Sequence, residues 1–283
     1  MTGVEMNGWT LLRTGWDLDP SVLIGCLMLA VIYVLLVPLR RVVHILAWMT
    51  GVGVLLVALV SPLDPLSDEY LFSAHMLQHL LLILAVPPLL LWGIPQDSME
   101  SALRVGWVGR VEHRLHRPVL LWLLATMTLT LWHLPALYNA ALANEGVHIV
   151  MHLMFLVTWT MYWWLVLAPV PQRRLPPGVA ILYLFSAGLV NVVLGIIFTF
   201  LPPGQYPQYL HPADERGWLP LLRGQWGLTP AVDQQWGGLL MWVPAGLIFL
   251  VAMLVAASRW YRGGTQPLPN DSGVARRSGW ASP

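Results

Sequence analysis

His75 and His79 stand four residues apart in Ser73-Ala-His-Met-Leu-Gln-His-Leu-Leu-Leu82, at the head of an apolar run. Four residues make about one helical turn, so both imidazoles fall on one face about 6 Å apart along the axis. Gly146-Val-His-Ile-Val-Met-His-Leu-Met-Phe155 repeats the pattern with His148 and His152, and His133 closes another apolar stretch in Leu131-Trp-His-Leu-Pro135. A single histidine in such a place reads as an interhelical hydrogen bond. Five at one depth need a stronger reason, because ionisable groups inside a bilayer are costly. Imidazole suits copper, zinc, iron or nickel, so metal or haem ligation is the favoured chemistry.

Met76, Met151 and Met154 lie beside these histidines, and Met241 sits in a later apolar stretch. Thioethers are soft donors that favour Cu(I), although each methionine could equally serve packing. Two carboxylates sit at the same level, Asp64 in Ser61-Pro-Leu-Asp64 and Asp233 in Thr229-Pro-Ala-Val-Asp233. The plain reading of Asp233 is an acid in the first turn of its own helix, behind a Thr229 cap and Pro230. The sharper reading gives both carboxylates the task of orienting an imidazole.

Several chemistries are excluded. Met76 follows His75 and Ile149 follows His148, so neither pair is a His-Glu-x-x-His protease motif. The chain has no lysine to form a retinal Schiff base. A di-iron oxygenase would be short of carboxylates. Cys26 is the single cysteine, which rules out an internal disulfide or a cysteine cluster, and it reads as a small buried apolar residue. A net charge of +1 gives no basic field for a nucleic acid. A haem clamped by one histidine from each helix stays open, but neighbours about 6 Å apart cannot serve two stacked haems. A transporter would need polar residues through the bundle, and Asn191 is the clear mid-membrane amide.

The elements that must position these groups are membrane spans. The chain is 57% hydrophobic and 10% charged, against roughly 25% charged in soluble domains. Residues 1–20 carry Glu5, Asp17 and Asp19 against Arg13, unlike the basic start of a cleavable signal peptide. Seven apolar stretches follow, near 21–39, 42–60, 72–93, 119–134, 147–170, 179–201 and 236–258, the fourth of them short. The fold class is an all-α polytopic membrane bundle over 21–260. Pro87, Pro88 and Pro244 should kink their helices where neighbours satisfy the freed carbonyls.

Twelve of fifteen arginines fall in the links after stretches one, three and five and in the C-terminal segment. That bias puts the C-terminus in the cytoplasm and the N-terminus outside, leaving the histidine layer near the outer surface. His44, His113 and His116 fall among the arginines, and His211 in an outer link. Residues 96–117 read as one amphipathic helix on the cytoplasmic surface, with Met99, Leu103, Trp107, Val111 and Leu115 on its apolar side. The long link 202–235, rich in Pro, Gly and Trp, should fold over the outer mouth. The segment 261–283 reads as a disordered tail.

Taken together, Ser61-Pro-Leu-Asp-Pro65, His75-Met-Leu-Gln-His79 with Pro87-Pro88, Trp132-His133-Leu-Pro135, His148-x-x-x-His152, Gly227-Leu-Thr-Pro230, Asp233-Gln-Gln-x-Gly-Gly238 and Met241-Trp-Val-Pro244 resemble the seven-span CtaG family. The likeness covers about residues 20–260. Members of that family are assembly factors of caa-type cytochrome c oxidase in the bacterial cytoplasmic membrane; a single-span periplasmic copper protein of the same name is unrelated. The resemblance implies a non-enzymatic role in maturing the haem–copper oxidase, with copper passed to the copper-B centre of subunit I. On that expectation His75, His79, His148 and His152, with His133, hold the metal. Asp64 and Asp233 orient imidazoles, and Met76, Met151 and Met241 assist. The outer links are poor in methionine, which calls for a soluble extracytoplasmic copper donor. The alternative is a membrane redox protein with haem on the same histidines.

Overall fold

The computed structural model describes residues 7–38 and 41–264. Glu5, Arg40, Arg276, Arg277 and the expected tail beyond residue 264 lie outside the described residues. Every regular element among the described residues is helical. Apart from short helical turns in the links, in chain order these are α1 (Gly8–Thr14), α2 (Pro20–Leu36), α3 (Val42–Val60), α4 (Phe72–Gly93), α5 (Gln96–Leu103), α6 (Gly106–Leu115), α7 (Pro118–Trp132), α8 (Pro135–Ala143), α9 (Glu145–Leu167), α10 (Pro177–Phe200) and α11 (Pro230–Gly264).

Five of them, α3, α4, α9, α10 and α11, are long and apolar enough to cross a membrane. The short α7 continues into α8 through a 73° bend, and the pair counts as a sixth candidate span if it is one broken element. The apolar α2 has 17 residues, at the lower edge of spanning length. Leu35, Leu36, Leu182, Phe200, Leu247 and Val251 are exposed on the outside of these helices. Apolar surface on that scale is what a lipid-facing protein presents. The chain is therefore a polytopic, all-helical membrane protein.

Three details depart from the sequence expectations. Residues 135–143, expected as a link, form α8, for which Pro135 supplies a preset first position. The single amphipathic helix expected over 96–117 is broken into α5 and α6 between Leu103 and Gly106, where Gly109 packs against the Leu103 carbonyl. Helix α11, with Pro244 inside it, runs from Pro230 to Gly264 and so extends about two turns beyond each end of the expected 236–258 stretch.

Helix α4 answers its prolines differently. Residues Leu81–Ala85 widen into a π-helical turn just before Pro87 and Pro88. The Ile83 carbonyl would accept from residue 87 in an α-helix and from residue 88 in a π-helix, and both lack an N–H. The Trp163 indole of α9 donates to that carbonyl at 2.8 Å. Trp163→Phe keeps most of the packing and strands the carbonyl in a buried, apolar place. A loss of about 1–3 kcal/mol is expected, read as a lowered thermal midpoint in detergent.

Candidate metal centre

The histidine helix α4 starts without a cap of its own, because Leu71 occupies the cap position. Asp233 of α11 supplies one across the bundle. Its carboxylate accepts from the backbone N–H of Phe72 at 2.8 Å and of Ser73 at 3.0 Å, and from the Ser73 hydroxyl at 2.5 Å. Asp233 thus lies in the first turn of its own helix, as expected, and its carboxylate hydrogen-bonds the start of the helix that carries His75 and His79 rather than an imidazole. An anion among free N–H groups at a helix start is favourable by both hydrogen bonding and the helix dipole.

On that helix and on α9 the histidines meet. His75, His148 and His152, all buried, each offer one nitrogen within 4.8 Å of the others. The rings of His148 and His152 are 4.1 Å apart, and His75 is 5.2 Å from His148 and 6.0 Å from His152. His79 is stacked edge-on at 4.3 Å from His75. His133, at the end of α7, lies 5.6 Å from His79 and stands apart from the group of three.

Hydrogen bonds assign the nitrogens. Tyr209 donates its hydroxyl to the Ser67 carbonyl at 2.7 Å. His75 Nδ1, 3.1 Å from that hydroxyl oxygen and 3.3 Å from the same carbonyl, is then the protonated nitrogen. His148 Nδ1 faces the Asp68 carboxylate at 3.2 Å. The Nε2 atoms of His75, His148 and His152 and both nitrogens of His79 are buried without a partner. An imidazole fixed at Nδ1 by a carboxylate or carbonyl, with Nε2 bare, is the usual state of a metal-ligating histidine. Tetrahedral coordination places donor nitrogens ~3.3 Å apart, so separations of up to 4.8 Å would need to close by up to about 1.5 Å. Unpartnered buried nitrogens are costly, and a cation among them removes that cost.

Asp68 and Tyr209 did not stand out in the sequence. Asp68 comes from the π-helical turn Leu66–Tyr70, and Tyr209 from the short turn Pro207–Leu210 of the 202–235 link, which packs back onto the site. The sequence signal was slight: an acid seven residues before His75, and a Tyr-Pro-Gln-Tyr run. Burial is the largest influence on Asp68 and works against its charge, but the hydrogen bonds from His148 and Ser67 and the attraction of His148 and His75 together outweigh it and hold the carboxyl below its usual range. Burial keeps the Tyr209 phenol protonated, raising it well above the ordinary tyrosine value.

Asp64 touches no imidazole. It accepts from Gln78 Nε2 at 2.8 Å. Burial, with the neighbouring Asp68, pushes its carboxyl from 3.8 up to about 7. Between those values the folded protein holds a proton that the unfolded chain has released, so stability falls as pH rises from about 4 to about 7. Asp64→Asn should remove that slope. Its gain in thermal midpoint over wild type should be larger at pH 8 than at pH 4, by the equivalent of up to about 4 kcal/mol.

Of the methionines, Met76 and Met151 are fully buried and Met241 nearly so. Met76 Sδ lies 3.4 Å from His133 Nε2, Met241 packs in the same aromatic cluster, and Met151 belongs to the main core. Met154 faces outward.

His148 and His152 also line a crevice of about 780 Å³ between α2, α3 and α9. It is lined by apolar side chains, among them Cys26, Leu55 and Leu156, and by the acidic residues Asp17, Asp19, Asp64, Asp68 and Glu145. Arginines gather at the far end of the bundle, where Arg41 pairs with Asp97 and Arg173 with Glu112.

The family model for the cytochrome c oxidase caa3 assembly factor (Caa3_CtaG) matches residues 29–263. The chain belongs to that family. The matched residues include all five clustered histidines as well as Asp64, Asp68, Tyr209 and Asp233. No curated protein and no solved structure matches the chain. Membership of the Caa3_CtaG family makes an oxidase the partner in assembly and suggests a non-catalytic role.

Proposed function

We propose that this Caa3_CtaG member is a seven-span protein of the bacterial cytoplasmic membrane that holds copper at its buried histidines and delivers it to the copper-B centre of oxidase subunit I. The N-terminus and the histidine layer face outward, as the arginines at the opposite end favour. One observation carries the reading: His75, His148 and His152 each bring a nitrogen within 4.8 Å of the others, and their Nε2 atoms are buried without a partner, beside a crevice lined in part by carboxylates.

Copper is cargo here. The carboxylates that line the crevice raise the local concentration of cations, and the imidazoles take the ion out of water. Three neutral nitrogens hold a soft ion without closing its coordination shell, so a ligand from the recipient can displace them one at a time. Asp68 holds His148 in the competent tautomer, and Tyr209 does the same for His75 through its oxygen. Few methionines lie in the outer links, so a soluble donor brings the metal. The apolar crevice walls give a recipient span a dry surface next to the site.

The test is elemental analysis and an optical spectrum of the purified protein. Wild type is compared with a variant in which His75, His79, His148 and His152 are all alanine. Copper is expected in the wild type and absent from the variant, provided the variant still unfolds cooperatively. A Soret band lost in the variant would replace copper by haem. Neither metal nor haem after copper loading under reducing conditions would leave a scaffold acting by protein contacts.

A further inference from the structure

His133 sits outside the three-histidine centre, and its surroundings pose a separate question. Its Nδ1 lies 2.6 Å from the Leu129 carbonyl oxygen. A carbonyl only accepts, so in the neutral ring Nδ1 carries the proton and Nε2 carries a lone pair. That Nε2 faces Met76 Sδ at 3.4 Å. A thioether has no proton to donate, so no hydrogen bond joins the two atoms. Two electron-pair donors face each other where Met76 is 0% and His133 is 3% exposed. His79, 5.6 Å away ring to ring, adds two further nitrogens with no partner.

We infer that His79, His133 and Met76 form a second cation site, inner in that none of the three lines the crevice as His148 and His152 do, and selective for a soft monovalent ion of the Cu(I) class. The distance suits one ion bound by both atoms. Bonds of about 2.0 Å to imidazole and about 2.3 Å to sulfur span 3.4 Å at an angle close to tetrahedral. The donor set suits the ion as well. A thioether disfavours hard cations, and three neutral ligands bring no charge to offset the desolvation of a divalent ion. The outer centre differs, since Asp68 stands behind His148. His79 adjoins both centres, at 4.3 Å from His75 and 5.6 Å from His133. An ion can therefore move from the outer imidazoles to the inner site by exchanging one ligand at a time. This deepens the proposed copper function and rests on it for the identity of the ion.

The experiment is a Cu(I) titration of the full chain in nanodiscs against a colorimetric Cu(I) chelator, with X-ray absorption on the loaded protein. Met76→Leu, a nearly volume-conserving change, is compared with the double variant His148→Ala/His152→Ala. Wild type should take up two equivalents and each variant one. The ion left in the double variant should show a sulfur neighbour, and the ion left in Met76→Leu nitrogen neighbours alone. One equivalent in wild type, lost in the double variant and unchanged in Met76→Leu, would overturn the inner site and leave the outer one standing. One equivalent lost only in Met76→Leu would support the inner site and overturn the outer one. Two equivalents retained in Met76→Leu, or no copper bound by any form, would overturn the inner site.

Discussion

Asp233→Ala is expected to cost the protein about 3–5 kcal/mol, as two backbone N–H groups and a hydroxyl at the start of α4 lose their acceptor together. The residue is 2% exposed, so little water can take its place. No local group can substitute either, since the preceding Leu71 has nothing to accept with. The loss should appear as a large drop in thermal midpoint in detergent and as poor recovery of folded protein. Asp233→Asn keeps one acceptor oxygen and should lose roughly half as much. The functional consequence is separate from the stability. Phe72 and Ser73 set the position of the first turn, and His75 lies in the next positions along it. In Asp233→Asn, which should still fold, the proposed copper binding is expected to weaken while His75 itself is intact. Unchanged stability in Asp233→Ala would show that the cap is dispensable.

Gly238→Ala is the second large effect. Helices α10 and α11 approach so closely that a methyl group on Gly238 would meet the Gly195 carbonyl oxygen at 2.8 Å. It would come closer still to the backbone nitrogen and hydroxyl of Thr199. These obstacles are mainly backbone, so no rotamer change relieves the clash. Overpacking costs about 1–3 kcal/mol even where side chains can move, and more is expected here. Gly195 mirrors the contact, its own methyl position being blocked by Trp242 and Met241. Small residues at such crossings allow helices in lipid to pack backbone to backbone. Gly246→Ala is the control, with open space around the added methyl on the same helix. It should be neutral or stabilising by about 0.5–1 kcal/mol. Equal effects of the two substitutions would show that helix propensity, rather than the crossing, governs the response.

Both substitutions act on α11, which carries no histidine. The helix holds α4 by its end through Asp233 and α10 by its face through Gly238, and it contributes Met241 to the cluster around Met76. Asn191 of α10 donates to the Met241 carbonyl at 2.5 Å, a further tie at mid-depth. The site depends on this clamp as much as on its own donors.

Composition and period were enough to determine a helical membrane protein with paired histidines, because lipid forces the backbone to satisfy itself within each helix. The order of motifs along the chain was enough for the family. Pairs four residues apart have only one arrangement on a helix, so His75 with His79 and His148 with His152 were legible as they stand. Relations between helices were not. The three-histidine centre, the separate His133 and Met76 contact, the placement of Asp68 behind His148, and the hydrogen bonds of Asp233 to the start of α4 all depend on rotation and depth of one helix against another. Those are decided by packing of Trp163 on the Ile83 carbonyl, by the Gly238 crossing and by the return of Tyr209 from a distant link. Each joins residues far apart in the chain, and local periodicity carries no information about such partners.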